Sequence, residues 1–500
     1  MSTPPRHDPP TPTPANLQKL AVIAGADLTR PLDCLFVNAP LRDYGARPRV
    51  NDFTLPVLGM AYIATAARAA GFNVGVLDAE AAGLPVADVI AMMNQVAPRW
   101  AGFNLLAPTY EVAARIAAGL DPAIRVMLGG HHAKAMPAPI LTDPRMRRAQ
   151  ALVAGEAETR VIELLHDHHA RERLPGVMWL DADGNLARGR GGEPAHLAPD
   201  LDALPVVDRR FLAQDPRRAD DGRIEANMVA ARGCPYDCSF CGAAVSANPD
   251  ITIRVRDPYK LLEEMTDLHH QRQVTAFRFV DDLFLGTRRV ITTMMEAFAR
   301  ARVADWAVWD ATGRINVLHR ASDETLDQLV DNGLREVALG IESGSERLLR
   351  YVDKRITPDM VRSVVRRLTE RDIAVKGYFI LGFPTETRAE LAETVTLVHD
   401  LWDLTSPLPG RFRASVFEFR PYPGTPEWDR LIATGRYTPS QLLNYAAIDL
   451  TNDGGQEAMR ARDEFNFSVG IQFGDAPLDE IRAALVELST LQHDLLEQDA

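Results

Sequence analysis

From residue 31 the chain alternates short apolar runs with amphipathic stretches. The runs Cys34–Asn38, Asn73–Leu77, Trp100–Leu105, Arg125–Leu128 and Ala151–Val153 predict strands buried on both faces. Between them, Gly59–Ala70 and Val86–Val96 repeat apolar residues at helical spacing. This alternation predicts an α/β domain over residues 31–170, a Rossmann-like, doubly wound parallel sheet. The predicted strands end in small or polar residues: Asn38-Ala39-Pro40, Asp78, Asn104 to Thr109, Gly129-Gly130-His131-His132 and Gly155-Glu156. Ligands of such sheets bind outside the carboxyl ends of the strands.

Residues 171–222 read as a hairpin and linker. Met178–Leu180 and Leu186–Arg188 flank a turn at Asp181-Ala182-Asp183-Gly184-Asn185, and proline-dotted sequence follows. A second α/β series occupies 223–430. Its predicted strands are Asn227–Ala231, Ala276–Val280, Trp306–Asp310, Glu336–Gly340, Val375–Leu381 and Ala414–Phe419, separated by helices such as Pro258–His269 and Pro358–Arg371. Six β/α repeats predict a partial (β/α)6 barrel, open on one side. Residues 431–500 read as a mostly helical segment that ends in an apolar stripe over Leu478–Glu497 and covers the substrate. The Pro/Thr-rich residues 1–30 are expected to form a disordered tail.

Composition narrows the function classes. The 500 residues are 46% hydrophobic and 25% charged, as in a globular protein of two to four domains. The net charge of −13 and the lack of a basic stripe argue against a nucleic-acid substrate. No apolar run approaches the roughly 20 residues of a membrane span, and the N-terminus lacks an apolar signal core. The cytoplasm is the expected location. The first domain has no G-x-G-x-x-G after its first strand and no P-loop, so a nucleotide is not its expected ligand.

The chemistry is concentrated in Arg232-Gly233-Cys234-Pro235-Tyr236-Asp237-Cys238-Ser239-Phe240-Cys241. Three of the four cysteines fall within eight positions, spaced C-x3-C-x2-C. A loop this short can turn three thiolates toward one point. Three is one fewer than the usual set for a cubane iron–sulfur cluster, which leaves one iron with an open site. A structural zinc needs four Cys/His ligands, and the nearest downstream histidines, His269 and His270, are far along the chain. Cys34 lies in an apolar run and reads as a buried strand residue. A disulfide would leave an odd thiol in the loop.

The triad, with Phe240 before its last cysteine, resembles that of the radical S-adenosylmethionine (radical SAM) enzymes. The resemblance implies a [4Fe-4S] cluster on Cys234, Cys238 and Cys241 whose open iron chelates SAM, and one-electron cleavage of SAM to a 5′-deoxyadenosyl radical. It places Phe240 near the adenine. Asp281 and Asp282 close the second strand, and adjacent carboxylates there call for a cationic or hydrogen-donating neighbour: the SAM ammonium, an arginine or a helix N-terminus. Arg314 could pair with the SAM carboxylate. Glu342 and Ser343 would face the ribose or the methionine end. Ile380, Leu381 and Gly382 resemble the adenine-contacting segment, and Pro423-Gly424-Thr425 a motif of cobalamin-type members.

The first domain resembles the cobalamin-binding domains that precede many radical SAM cores. The shared features are Pro56-Val57-Leu58-Gly59, Gly129-Gly130-His131-His132 and Gly155-Glu156. The resemblance implies a cobalamin site formed by Asn38, Pro56, Leu58, Gly59, Asn104, Thr109, Gly129, Gly130, His131, His132, Gly155 and Glu156. The D-x-H-x-x-G signature of a lower axial histidine is absent, so His131 and His132 are expected at the corrin edge rather than on cobalt. Together the two resemblances imply a cobalamin-dependent radical SAM C-methyltransferase that uses methylcobalamin to methylate a small molecule, such as an antibiotic precursor. An electron donor such as flavodoxin or ferredoxin is implied as partner. Tyr422, Trp428 and Tyr445 are candidates for lining the substrate site. A cobalamin-associated cyclase or rearrangement enzyme, and a non-catalytic metal-binding or regulatory protein, are the alternative readings.

Overall fold

A computed structural model describes residues 20–51, 54–191, 197–243, 253–447, 458 and 467–498. The chain forms two units, Met1–Gln214 and Asp215–Ala500.

The first unit is built on one eight-stranded sheet. Its strands are β1 (Ile23–Ala24), β2 (Cys34–Asn38), β3 (Val74–Asp78), β4 (Trp100–Asn104), β5 (Arg125–Gly129), β6 (Ala149–Val153), β7 (Val177–Leu180) and β8 (Leu186–Arg188). They lie in the order β1-β3-β2-β4-β5-β6-β7-β8. The pairings that join β2 to β6 are parallel, whereas β1 and the β7–β8 hairpin add antiparallel edges. The predicted strands lie within about a residue or two of the observed ones because their apolar runs are buried on both faces, as in β3 and β4. Helices Leu58–Ala69, Val86–Val96 and Tyr110–Ala118 supply the covering layers. Cys34 is fully buried in β2, as its apolar run implied.

Two expectations need correction here. The tail extends at most to residue 19, because Leu20 is buried and Ile23–Ala24 pair with Val76 and Leu77; residues 1–19 themselves lie outside the described residues. The hairpin expected within 171–222 forms, but the stretch is not a free linker. Its hairpin extends the first sheet, and Phe211 is fully buried beneath the Arg68 guanidinium, 4.3 Å from the ring centre. The Asp208 N–H donates to Thr65 Oγ1 at 3.0 Å, which docks this segment on helix Leu58–Ala69.

The second unit holds a seven-stranded sheet of β9 (Arg217–Arg218), β10 (Ile224–Met228), β13 (Ala276–Phe279), β14 (Val308–Gly313), β15 (Leu334–Glu342), β16 (Ala374–Leu381) and β17 (Phe412–Glu418). Between β10 and β13, β11 (Ala231–Arg232) and β12 (Arg254–Val255) form a separate pair. From β10 to β17 every neighbouring pair is parallel and in chain order, giving a curled half-barrel. The period of two along β16 shows its two faces. Val375, Gly377, Phe379 and Leu381 are buried, whereas Lys376, Tyr378 and Ile380 on the other face are partly exposed. Toward the amino ends of the strands, Arg278 and Arg335 pair with Glu225 and Asp310, and Arg413 with Glu336.

The predicted strand Asn227–Ala231 is in fact split. The Ala230 N–H donates to Asp281 Oδ1 at 2.9 Å, which draws the chain out of the sheet between β10 and β11. Downstream of residue 430, β18 (Ala446–Ala447) pairs with β19 (Phe467–Ser468), and residues 448–457 and 459–466 lie outside the described residues. The long helix Leu478–Gln498 packs on β17. Gln492 Oε1 accepts the Ala414 N–H at 2.6 Å and the Trp402 indole N–H at 3.2 Å. This part of the expected substrate cover is therefore an edge cover for the sheet.

Candidate cluster site and cofactor crevice

The three cysteines of the second unit lie in the loop after β11, at the carboxyl-end rim of the half-barrel. All are free thiols. They are close enough for a charge on Cys238 to raise the pKa of both Cys234 and Cys241. Burial is the larger cause in each case and pushes Cys241 to about 11. Coordination to iron removes that obstacle, since a metal-bound thiol is held deprotonated. Two cations flank the triad. Arg314 Nη1 donates to Cys238 Sγ at 3.5 Å, and Lys354 lies near enough to Cys241 to favour its thiolate. Among the described residues no three Cys, His, Asp or Glu side chains converge tightly enough to hold a single metal ion. A cube takes its ligands at separate corners, so three spaced thiols with cations nearby fit a cluster better than one ion.

The loop is gripped from several sides. The Ser239 N–H donates to the Val352 carbonyl at 3.1 Å. The ring of Phe240 packs edge-on against Phe383, with centroids 5.4 Å apart. The Arg314 guanidinium stacks over Tyr236 at 3.5 Å while its Nη2 donates to the Lys354 carbonyl at 2.8 Å. Arg314 thus secures the cluster loop.

The other rim positions divide into outward and inward groups. Glu342 closes β15 at a positive φ of 71°, and its Oε1 accepts from Lys354 Nζ at 2.5 Å; both residues are more than nine-tenths buried. Asp281 faces inward. One oxygen holds the Ala230 N–H, the other has no partner among the described residues, and burial pushes the carboxyl to about 7. The donor that its position called for is therefore backbone. Ser343 is fully buried and shares its hydroxyl with Thr394 at 3.1 Å, so it too points away from the rim. Leu381 is fully buried, which leaves its backbone beside Ile380 and Gly382 to face the rim. Gly382, at φ 85°, donates its N–H to Glu386 Oε2. Trp428 is buried among Leu348, Phe383, Phe419 and Leu431 and does not line a substrate site. Tyr422 and Tyr445 remain partly exposed and stack at 6.4 Å, with Tyr445 OH donating to the Pro421 carbonyl at 2.5 Å.

In the first unit the strand order reverses between β2 and β4, which opens a crevice outside their carboxyl ends. Asn38 Nδ2 donates to Asp78 Oδ1 at 2.9 Å across the ends of β2 and β3. Gly59 is exposed, and a Cβ built on it would meet nothing within 4 Å. Gly130 has φ 95°, and a Cβ there would lie 2.4 Å from Asn104 Oδ1, so only glycine lets the β5 loop approach β4. Pro56, Gly129 and Glu156 are half-buried, and Gly155 is exposed. Leu55 and Leu106 leave apolar surface exposed on the loops after β2 and β4. Small residues, open space and apolar rim suit a broad, flat organic cofactor. Thr109, Leu58 and His132 do not face this crevice freely. Thr109 and Leu58 are buried, and Thr109 Oγ1 donates to the Leu106 carbonyl at 3.3 Å. The His132 ring is buried 5.0 Å from that of Tyr110, and burial lowers its pKa to about 4; only His131 is exposed.

Sequence reasoning missed Lys354, Glu386 and Glu427, each at least nine-tenths buried. The run Asp353-Lys354-Arg355 reads as a solvated charge cluster, and only its placement beside Cys241 and Glu342 marks Lys354 out.

The class follows from this arrangement: a cluster-bearing half-barrel enzyme preceded by a doubly wound cofactor domain. Residues 50–165 match the B12 binding domain and residues 228–398 match the radical SAM superfamily. The chain carries a B12 binding domain followed by a radical SAM domain, the order also found in cobalamin-dependent radical SAM methyltransferases, and its cofactors are a [4Fe-4S] cluster, SAM and cobalamin. It is 28% identical over 406 residues to the uncharacterized methyltransferase PH0819 of Pyrococcus horikoshii, covering 80% of this chain and 84% of that one. It is 25% identical over 390 residues to the anaerobic magnesium-protoporphyrin IX monomethyl ester cyclase of Cereibacter sphaeroides, covering 75% of this chain and 60% of the cyclase. The fold is that of the radical SAM methyltransferase TsrM from Kitasatospora setae, solved with cobalamin and a [4Fe-4S] cluster. The TM-score is 0.61 at 19% identity, over 83% of this chain and 80% of that one. Among the described residues no helix is long and apolar enough to cross a membrane.

Proposed function

We propose that this enzyme transfers a methyl group to an unactivated carbon of a small-molecule substrate, taking its electron from a donor such as flavodoxin or ferredoxin. The observation that carries the reading is the presence of both a B12-binding and a radical SAM unit in one chain. A radical SAM unit alone suffices for hydrogen abstraction, and methyl transfer gives the second cofactor a use. When bound, the cluster and SAM supply a hydrogen-abstracting radical and cobalamin supplies a transferable methyl group.

The chain's own residues bind and orient. Cys234, Cys238 and Cys241 hold the cluster, and Arg314 fixes their loop through Cys238 and the Lys354 carbonyl. Phe240, Ile380 and the backbone of Leu381 and Gly382 receive the adenine. Glu342, held by Lys354, faces the polar part of SAM. Asn38, Gly59, Asn104, Gly129, Gly130, His131, Gly155 and Glu156 form the cobalamin cradle. Anaerobic incubation with SAM, hydroxocobalamin, dithionite and candidate precursors tests the reading. A product heavier by one methylene supports it. Loss of hydrogens alone would favour the second reading, a cyclase, which the Cereibacter relative motivates.

A further inference from the structure

We propose that Glu427 is a positioning residue for the cluster, acting through Ser239; the inference rests on the cluster assignment above. Ser239 stands between Cys238 and Cys241 and is 2% exposed. Its hydroxyl donates to Glu427 Oε2 at 3.2 Å, across 188 residues of sequence. The Glu427 N–H returns a bond to the Ser239 carbonyl at 2.9 Å. The same carboxylate accepts from Tyr351 OH at 2.5 Å and from Arg430 Nη1 at 3.0 Å. Tyr351 precedes Val352, whose carbonyl holds the Ser239 N–H. One side chain therefore joins the cluster loop, the end of helix Glu346–Tyr351 and the first turn of helix Pro426–Ala433.

The local sequence sets this up. Thr425 caps the helix, its Oγ1 accepting the Trp428 N–H at 3.2 Å, and Pro426 takes the first helical position. Glu427 follows in the first turn, where a carboxylate is favoured by the helix dipole. With Thr425 already serving as the cap, the Glu427 carboxylate is available to the loop. It is 1% exposed, and a buried carboxylate is tolerated only with such a set of donors. Its countercharge, Arg430, is half exposed and so more strongly screened. The loop between two cluster ligands thus rests on a buried anion. That anion opposes addition of an electron to the cluster and fixes where two of its thiolates stand.

The test uses the full chain, reconstituted anaerobically with iron and sulfide. In Glu427→Gln the cluster midpoint potential, read by EPR-monitored titration, is expected to move positive, and a chelator should strip iron several-fold faster. In Ser239→Ala, which keeps the charge, the chelator rate should rise while the potential stays nearer that of the wild type. A potential and chelator rate unchanged in Glu427→Gln overturn the proposal. Should that variant not fold, an unchanged chelator rate in Ser239→Ala overturns it alone. A wild-type chain that takes up no four-iron cluster refutes the cluster assignment instead, a result separable from failure of the clamp.

Discussion

At the carboxyl ends of β2, β4, β5 and β6 the first unit presents glycines, asparagines and open space. At the ends of β13, β14 and β15 the second presents carboxylates and cations already engaged with one another or with backbone. In the first site small residues and amides predominate, with the Asp78 carboxylate held by Asn38. Charge governs the second, where each buried ion is placed before any ligand arrives, as a site that must orient a reactive group requires. Two α/β sheets with the same strand-end logic thus serve opposite demands.

The comparison breaks most visibly if the sites are not independent. Replacing Cys234, Cys238 and Cys241 together with Ala is expected to abolish iron uptake and SAM cleavage under dithionite. The corrinoid spectrum retained after loading with hydroxocobalamin and desalting should stay unchanged. Loss of the corrinoid as well would sink the independence of the two sites.

A second test bears on charge placement. Lys354→Ala leaves Glu342 buried without its partner, and denaturant unfolding should report a loss of about 3–5 kcal/mol. Lys354→Met combined with Glu342→Gln should recover most of it.

The two units also differ in the sign of their pH response. Burial depresses His132 from 6.5 to about 4, so its contribution is full above 6.5 and fades as pH falls toward 4. Burial raises Glu386 from 4.5 to about 7, so its contribution is full below 4.5 and fades as pH rises through 7. His132→Leu should remove a rise in stability between about pH 4 and 6.5 and Glu386→Gln a fall between about pH 4.5 and 7, each by up to about 3 kcal/mol. Urea melts across that range read both, and slopes of the same sign would contradict the pair.

The smallest effect expected is also the most local. Gly59→Trp fills open space at the crevice without touching the fold. Thermal stability of the apoprotein should hold, while cobalamin retention falls about tenfold, roughly 1.4 kcal/mol. A wild-type affinity would place the corrin elsewhere.

Much of this was legible in the sequence. Strands such as Cys34–Asn38 and Val74–Asp78 announce themselves because burial on two faces demands unbroken apolar runs. The cysteine triad is legible because its ligands are neighbours in sequence. What escaped depends on contacts between distant residues or on which way a side chain turns. Asp281 was rightly marked as needing a donor, yet the pattern could not tell that the donor is the Ala230 N–H, 51 residues back. Lys354 and Glu427 carry ordinary surface-residue identities, and only the tertiary fold buries them. His132 looked equivalent to His131, but successive helical residues point to different sides, one outward and one into the core.

The contact between Gln492 and Ala414 has a consequence for the life of the chain rather than for its chemistry. A half-barrel that does not close ends in unpaired rims, and a bare rim is a template for a strand from another molecule. The long C-terminal helix lies over β17, and the Gln492 amide stands in for a missing neighbour at one rung of the ladder. Removing residues 478–498 would spare every cluster, SAM and cobalamin position named above. It would also lay open the seven-residue edge of β17, and the cost would appear as self-association and precipitation of an otherwise complete enzyme.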